Sequence, residues 1–210
     1  LYRNDDMEVG GRDAELNVGI NISNIGAKMS YSQSANKDFI PINLRLGQAF
    51  TMHLDDYNSL TFITDFNKLL VPTPPIYARD SSGSPISDGN GGFVIESGKD
   101  PNVGVASGMF NSFSDAPGGF KEEMREINFS VGMEYWYDQL LAFRAGYFYE
   151  HPTKGDRQFW TIGFGLKMSV FAIDASYLIA KQNNPLANTL RFTLYFNFDD
   201  FGDQNEDTIE

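Results

Sequence analysis

Asn188-Thr189-Leu190-Arg191-Phe192-Thr193-Leu194-Tyr195-Phe196-Asn197-Phe198-Asp199 is the stretch that decides the fold. Leu190, Phe192, Leu194, Phe196 and Phe198 alternate with Thr189, Arg191, Thr193, Tyr195 and Asn197. Strand side chains point to opposite faces with period two, so one face is wholly apolar and the other polar, with an arginine in it. The run exceeds the roughly 5–6 residues usual for a soluble strand. It fits the roughly 9–11 residues of a tilted strand crossing a bilayer. A lone strand of this kind also fits the edge of a soluble β-sandwich, so the remaining strands must decide.

The same alternation recurs upstream. Apolar faces are read at Leu16, Val18, Ile20 and Ile22, then at Ile42, Leu44, Leu46, Phe50, Met52 and Leu54, and then at Leu60, Phe62 and Phe66. After a long gap come Phe129, Val131, Met133, Tyr135 and Tyr137, followed by Leu141, Phe143, Ala145, Tyr147 and Tyr149. Trp160, Ile162, Phe164, Leu166 and Met168 follow, then Phe171, Ile173, Ala175, Tyr177 and Ile179. Residues 1–12, polar and glycine-containing, read as a loop; Gly26 reads as a bulge, with the pattern resuming through Met29 and Tyr31. The expectation is eight antiparallel strands in up-and-down order. Connections after the second, fourth and sixth strands are short, and the others are longer. Outer-membrane barrels sort their connections in this way, into short periplasmic turns and long outer loops. The reading is therefore an all-β transmembrane β-barrel, one domain over 1–210, with the C-terminus periplasmic.

Between 69 and 126 the periodicity stops amid Pro72, Pro74, Pro75, Ser81-Ser82-Gly83-Ser84-Pro85 and Asp88-Gly89-Asn90-Gly91-Gly92. A structureless connection of this length is functional or disordered in most compact domains. The topology makes it extracellular. Val103, Val105, Ala106, Met109, Phe110 and Phe113 predict a short amphipathic helix beginning at Asp100-Pro101. Met109, Phe110 and Phe113, with Phe93 and Phe120, are the candidate partner-binding side chains, because methionine and aromatics dominate adaptable interfaces. The competing reading is that they plug the barrel mouth. Residues 199–210 form an acidic tail, expected on the periplasmic side.

Composition narrows the classes. The net charge of -12 argues against a nucleic-acid partner, and the absence of cysteine removes disulfides and thiolate metal sites. Mean hydropathy is -0.32, with aromatics at 14%. No apolar run approaches the ~18 residues of a membrane helix, which leaves a β-barrel open because only alternate strand residues meet lipid. The chain starts at Leu1, which suggests a mature or incomplete chain.

The faces opposite the apolar ones carry Arg45, Asp65, Glu134, Arg144, Lys167, Asp174 and Arg191, expected to line a lumen. Pairing Tyr137 with Leu141 around Asp138-Gln139-Leu140 sets Glu134 opposite Arg144. Such charges form either a polar conduit or a salt-bridged filling of a narrow barrel. His53 and His151 stand apart, and Asp55-Asp56 and Glu122-Glu123 are neighbours in sequence only. The glycines at 89–92 lack the lysine of a phosphate loop, and Ser82-Gly83-Ser84 is no nucleophile elbow. No enzyme, metal or cofactor is expected.

Several runs resemble the PorV family of type IX secretion systems, FadL-like outer-membrane barrels: Asn43-Leu44-Arg45-Leu46-Gly47, Asp55-Asp56-Tyr57-Asn58-Ser59-Leu60-Thr61-Phe62, and Asp65-Phe66-Asn67-Lys68-Leu69-Leu70-Val71-Pro72-Thr73-Pro74-Pro75. Further runs are Gly98-Lys99-Asp100-Pro101-Asn102-Val103, Asp115-Ala116-Pro117-Gly118-Gly119-Phe120-Lys121-Glu122-Glu123 and Val131-Gly132-Met133-Glu134-Tyr135-Trp136-Tyr137. Arg144-Ala145-Gly146-Tyr147-Phe148 and Asn188-Thr189-Leu190-Arg191-Phe192-Thr193-Leu194 complete the set. The resemblance implies a barrel of about fourteen strands, of which this chain would be the C-terminal part. It also implies a shuttle that takes cargo from the outer-membrane translocon by the cargo's C-terminal signal domain. The shuttle would hand that cargo to the cell-surface sortase or attachment complex, within outer-membrane lipid or lipopolysaccharide. A FadL-type transporter or porin for hydrophobic small molecules is the alternative. A role in lipopolysaccharide deacylation, associated with some relatives, has no supporting residues here.

Overall fold

The computed structural model describes residues 1–30, 37–180 and 187–196. The strands that carry the fold are β1 (Tyr2–Glu8), β2 (Asp13–Ser23), β3 (Asn43–His53) and β4 (Asn58–Leu69), then, past the short pair β5 (Ile76–Tyr77) and β6 (Ile95–Ser97), β7 (Asn128–Tyr137), β8 (Leu141–Tyr149), β9 (Gln158–Lys167), β10 (Phe171–Ala180) and β11 (Thr189–Phe196). Nine of these form one antiparallel sheet in the order β1-β2-β3-β4-β7-β8-β9-β10-β11. The all-β antiparallel reading holds. Asn197, Phe198 and the tail 199–210 lie outside the described residues, as does Tyr31.

Two expectations about the strands are corrected. Residues 1–12 are not a loop: Tyr2–Glu8 is a strand, so the sheet has nine strands rather than eight. It escapes the period-two test because it is polar on both faces and its register shifts between Asn4 and Met7. Backbone pairing to β2 holds it without an apolar face. The sheet is also not closed into a barrel, since β1 and β11 are its two edges. The edges are unlike: one is polar and bulged, the other apolar on one side. Gly26, read as a bulge, lies beyond the end of β2. The chain leaves the strand at Asn24, where φ is 58°, and the Asn24 side-chain Nδ2 donates to the Pro41 carbonyl at 3.1 Å.

The register carries the apolar face across every strand from β2 to β11. Ile20 pairs with Leu46, Leu46 with Phe66, Phe66 with Phe129, and Phe129 with Tyr149. Ala145 pairs with Ile162, Ile162 with Tyr177, and Tyr177 with Leu190. Directly opposed rings touch on this face, with centroids 4.7 Å apart for Tyr147–Trp160 and 5.5 Å for Phe143–Phe164. These side chains are nevertheless exposed: Ile20 is 70% exposed, Trp160 58% and Phe192 68%. An apolar face of this extent left open to water would be an aggregation surface; hydrocarbon is the solvent that suits it.

The turns fall into the anticipated order, and the added strand extends it. The connections β1–β2, β3–β4, β7–β8 and β9–β10 are short and share one end of the sheet. The longer ones share the other end. The β1–β2 turn takes Gly10 and Gly11 at positive φ, closed by the Val9 amide to the Arg12 carbonyl at 2.9 Å. In the β7–β8 turn Asp138 and Gln139 hold φ of 51° and 50°, and the Leu140 amide donates to the Tyr137 carbonyl. That turn fixes Tyr137 against Leu141 and so Glu134 against Arg144, as the spacing anticipated.

Residues 70–127 are built rather than structureless. β5 and β6 pair, and isolated bridges at Arg79–Pro85 and Ser87–Phe93 continue a small finger. The anticipated helix is α1 (Val105–Asn111), starting later than Asp100-Pro101, which instead makes a turn closed by Asp100 Oδ1 and the Asn102 amide. The glycine inside it has a packing reason: a Cβ on Gly108 would lie 2.5 Å from the Phe39 ring. A second helix, α2 (Phe120–Arg125), was not anticipated, because six residues are too few to establish a helical period. Its signal was present in Glu122 and Glu123, which reach back to the Gly118 and Ala116 amides at 2.7 and 2.8 Å and suit the helix N-terminus.

Candidate functional site

Two arrangements stand out: a charged cluster on the polar face, and the insertion 70–127 with the ion pairs that hold it down.

All seven charges assigned to the polar face share one face by register: Arg45, Asp65, Glu134, Arg144, Lys167, Asp174 and Arg191. Three of them meet. Arg144 bridges β7 to β10, its Nε to Glu134 and its Nη1 to Asp174. The Trp136 indole N–H also donates to Glu134, at 2.7 Å, and the guanidinium lies over the Trp136 ring at 5.4 Å. Space for this group comes from glycine. A Cβ on Gly165 would lie 2.7 Å from Asp174 Oδ1 and 2.8 Å from Arg144 Nη1. Gly19, Gly47, Gly132, Gly146 and Gly163 occupy the same face. Arg45 donates to Asn67 at 2.9 Å. Asp65 lies against Gly47, where a Cβ would come within 2.3 Å of its carboxylate. Lys167 and Arg191 are not drawn into the cluster.

The insertion is fastened at the long-loop end. Lys68, near the end of β4, is 6% exposed, and its Nζ donates to Glu123 at 3.0 Å and Glu126 at 2.7 Å. From the β8–β9 connection, Lys154 donates to Glu122 at 2.6 Å and to Glu126 at 2.9 Å. The Thr73 hydroxyl adds a third bond to Glu126, at 2.8 Å. Burial pushes the Glu126 carboxyl up, but the hydrogen bonds from Lys68, Lys154 and Thr73 outweigh it and hold it below its ordinary value. Hydrogen bonding from Lys154 likewise lowers Glu122. Burial disfavours the Lys154 ammonium, yet the Glu122 and Glu126 bonds leave its pKa raised. Asp115 differs: it is buried, it accepts the Thr73 amide at 3.2 Å, and its Oδ1 has no partner. Burial raises it, and Glu123 and Glu126 add to the effect. Sequence reasoning passed over this whole group, since Glu122-Glu123 looked like a solvated pair; the lysines that neutralise them come from distant strands and loops.

Above this base stand the candidate partner-binding side chains. Phe110 is 79% and Phe120 80% exposed, with Phe93 and Phe113 also exposed; Met109 is half-buried. They are not gathered into one patch by any shared contact. Phe113 lies near the Lys68 ammonium, 6.0 Å from ring to nitrogen. Phe93 packs edge-on against Tyr77 at 5.6 Å. Beside it an open groove of about 1140 Å³ runs past Phe39, Pro72, Pro74 and Pro101. Among the described residues no group of three or more His, Cys, Asp or Glu is placed to hold a metal ion.

A nine-stranded antiparallel sheet with an exposed apolar face, a charged face and end-sorted turns has the construction of outer-membrane β-barrel proteins. Residues 1–76 match the family model described as Type IX secretion system protein PorV. The matched part spans β1 to β4 and contains the first three of the runs quoted above; the later runs lie beyond it. Nothing among curated proteins matches the chain.

Proposed function

We propose that this protein is an outer-membrane component of the type IX secretion system. It takes cargo from the translocon by the cargo's C-terminal signal domain and delivers it to the sortase or attachment complex at the cell surface. The observation that carries this reading is the exposed apolar face that runs unbroken from β2 to β11, joined to the family match over residues 1–76. The seven polar-face charges line the interior in this reading, the long loops are extracellular, and the chain after β11 returns to the periplasm. The insertion is the docking element. Its ion-paired base makes it rigid, and rigid exposed aromatics bind with little ordering cost.

The test is the Met109→Ser/Phe110→Ser/Phe113→Ser triple variant. None of the three lies on a strand, so the sheet should assemble at wild-type levels. Co-purification with the translocon and sortase complexes should fall by tenfold or more, since one buried aromatic anchor is worth about 2 kcal/mol or more. Cargo should accumulate in the periplasm. Normal recovery of partners and normal surface cargo would remove the docking role. The transporter reading has its own test: liposomes holding the protein should take up no hydrophobic small molecule beyond protein-free controls, and uptake would favour it.

A further inference from the structure

The helix α2 has an exposed half of which the docking reading uses only Phe120. At 100° per residue, Glu122, Glu123 and Glu126 point one way, toward Lys68 and Lys154. The opposite half presents Phe120 and Met124, both exposed, beside Lys121 and Arg125. Two apolar side chains one turn apart, flanked by two cations one turn apart, are what an interfacial helix presents to a membrane surface.

The height and side of α2 follow from Lys68. By register Lys68 belongs to the apolar face: it opposes Leu44, two residues beyond the Leu46–Phe66 pair. It therefore leaves the sheet on the lipid-facing side, about 7 Å beyond the Leu46–Phe66 rung toward the long-loop end. The ladder continues one step further, the Leu70 amide donating to the Ile42 carbonyl at 2.8 Å. Ile42 and Leu70 share the apolar-face parity, yet they are 0% and 3% exposed. The insertion therefore covers the outer rim of the apolar face at its long-loop end. This is the depth at which a bilayer passes from hydrocarbon to headgroups, and a lysine stem there reaches along apolar surface with its charge at the polar level.

We propose that α2 lies in the headgroup layer of the leaflet on the long-loop side. Phe120 and Met124 are immersed, and Lys121 and Arg125 meet the phosphates of anionic lipid. The inference rests on the membrane reading of the sheet and reassigns Phe120 from protein docking to lipid. The arrangement tethers the docking insertion to the membrane plane, so that Phe110 and Phe113 meet partners from a fixed height.

The 210-residue sequence has no cysteine, so single cysteines can be placed at Phe120, Met124, Ile162 and Ile86 and labelled with an environment-sensitive fluorophore. The full chain is reconstituted in phosphatidylcholine vesicles, with or without phosphatidylglycerol, carrying spin-labelled lipid as quencher. Labels at 120 and 124 should be quenched nearly as strongly as at 162, while the label at 86, in the finger, stays unquenched. Phosphatidylglycerol should raise quenching at 124 roughly twofold, and Lys121→Glu/Arg125→Glu should abolish that increase. Quenching at 162 but not at 120 and 124 overturns this inference and leaves the sheet in the membrane. No quenching at 162 overturns the membrane reading itself. A label at 120 shielded from both lipid and an aqueous quencher means burial against this chain or a second copy of it, which also overturns the inference.

Discussion

Arg144→Met should destabilise the sheet by about 1–3 kcal/mol, with the loss recovered when its partners are neutralised too. Arg144 holds two carboxylates from strands on either side of it, Glu134 on β7 and Asp174 on β10. Removing one member of a buried ion group costs about 3–5 kcal/mol, because a charge is stranded. Here the three side chains keep between 24% and 33% of their exposure, so water screens part of that loss. The triple variant Arg144→Met/Glu134→Gln/Asp174→Asn removes every charge and should recover at least half the deficit. Urea unfolding of vesicle-inserted protein, followed by the mobility difference between folded and unfolded bands, checks both. An unchanged midpoint for Arg144→Met alone would mean that the three charges are independently solvated.

The same residues mark what the sequence could disclose. Period-two alternation is a local property, so it located eight strands, their apolar face and seven of the charges on the polar face. A three-residue turn was enough to set Glu134 against Arg144. Asp174 was seen on the right face but not as the third member, because nothing local states that β10 lies two strands from β8 with a glycine between. β1 was missed for the opposite reason: at an edge, backbone pairing suffices and no alternation is demanded. The base of the insertion was not legible from local pattern. Lys68, Glu123 and Lys154 are far apart in sequence, and each alone reads as a solvated side chain. Lys68 in fact interrupts the apolar alternation of β4, as Thr64 does, and its charge was a hint that something covers the rim there.

Lys68→Met should therefore have the larger effect, and a local one. It leaves Glu123 and Glu126 buried beside Asp115 with Lys154 as the remaining cation, at a cost of about 3–5 kcal/mol. The insertion should detach while the sheet persists: hydrogen exchange and limited proteolysis should speed up across 70–126 and leave β7 to β10 unchanged. Adding Glu123→Gln should restore part of the protection. Acidity probes the same cluster in wild-type protein. Glu122 and Glu126 are depressed below the ordinary 4.5, so their contribution is complete above that value and is lost as pH falls through their folded values. Asp115 is raised above the ordinary 3.8, so its ionised form costs stability at neutral pH, and the cost lifts as pH falls through its folded value. Lys154, raised above 10.5, stabilises throughout this range. Protection of the insertion should thus fall as pH drops below 4.5. Asp115→Asn should raise protection at neutral pH and keep the loss below 4.5. Equal protection at neutral pH with and without Asp115 would mean that this carboxyl is not the strained member of the cluster.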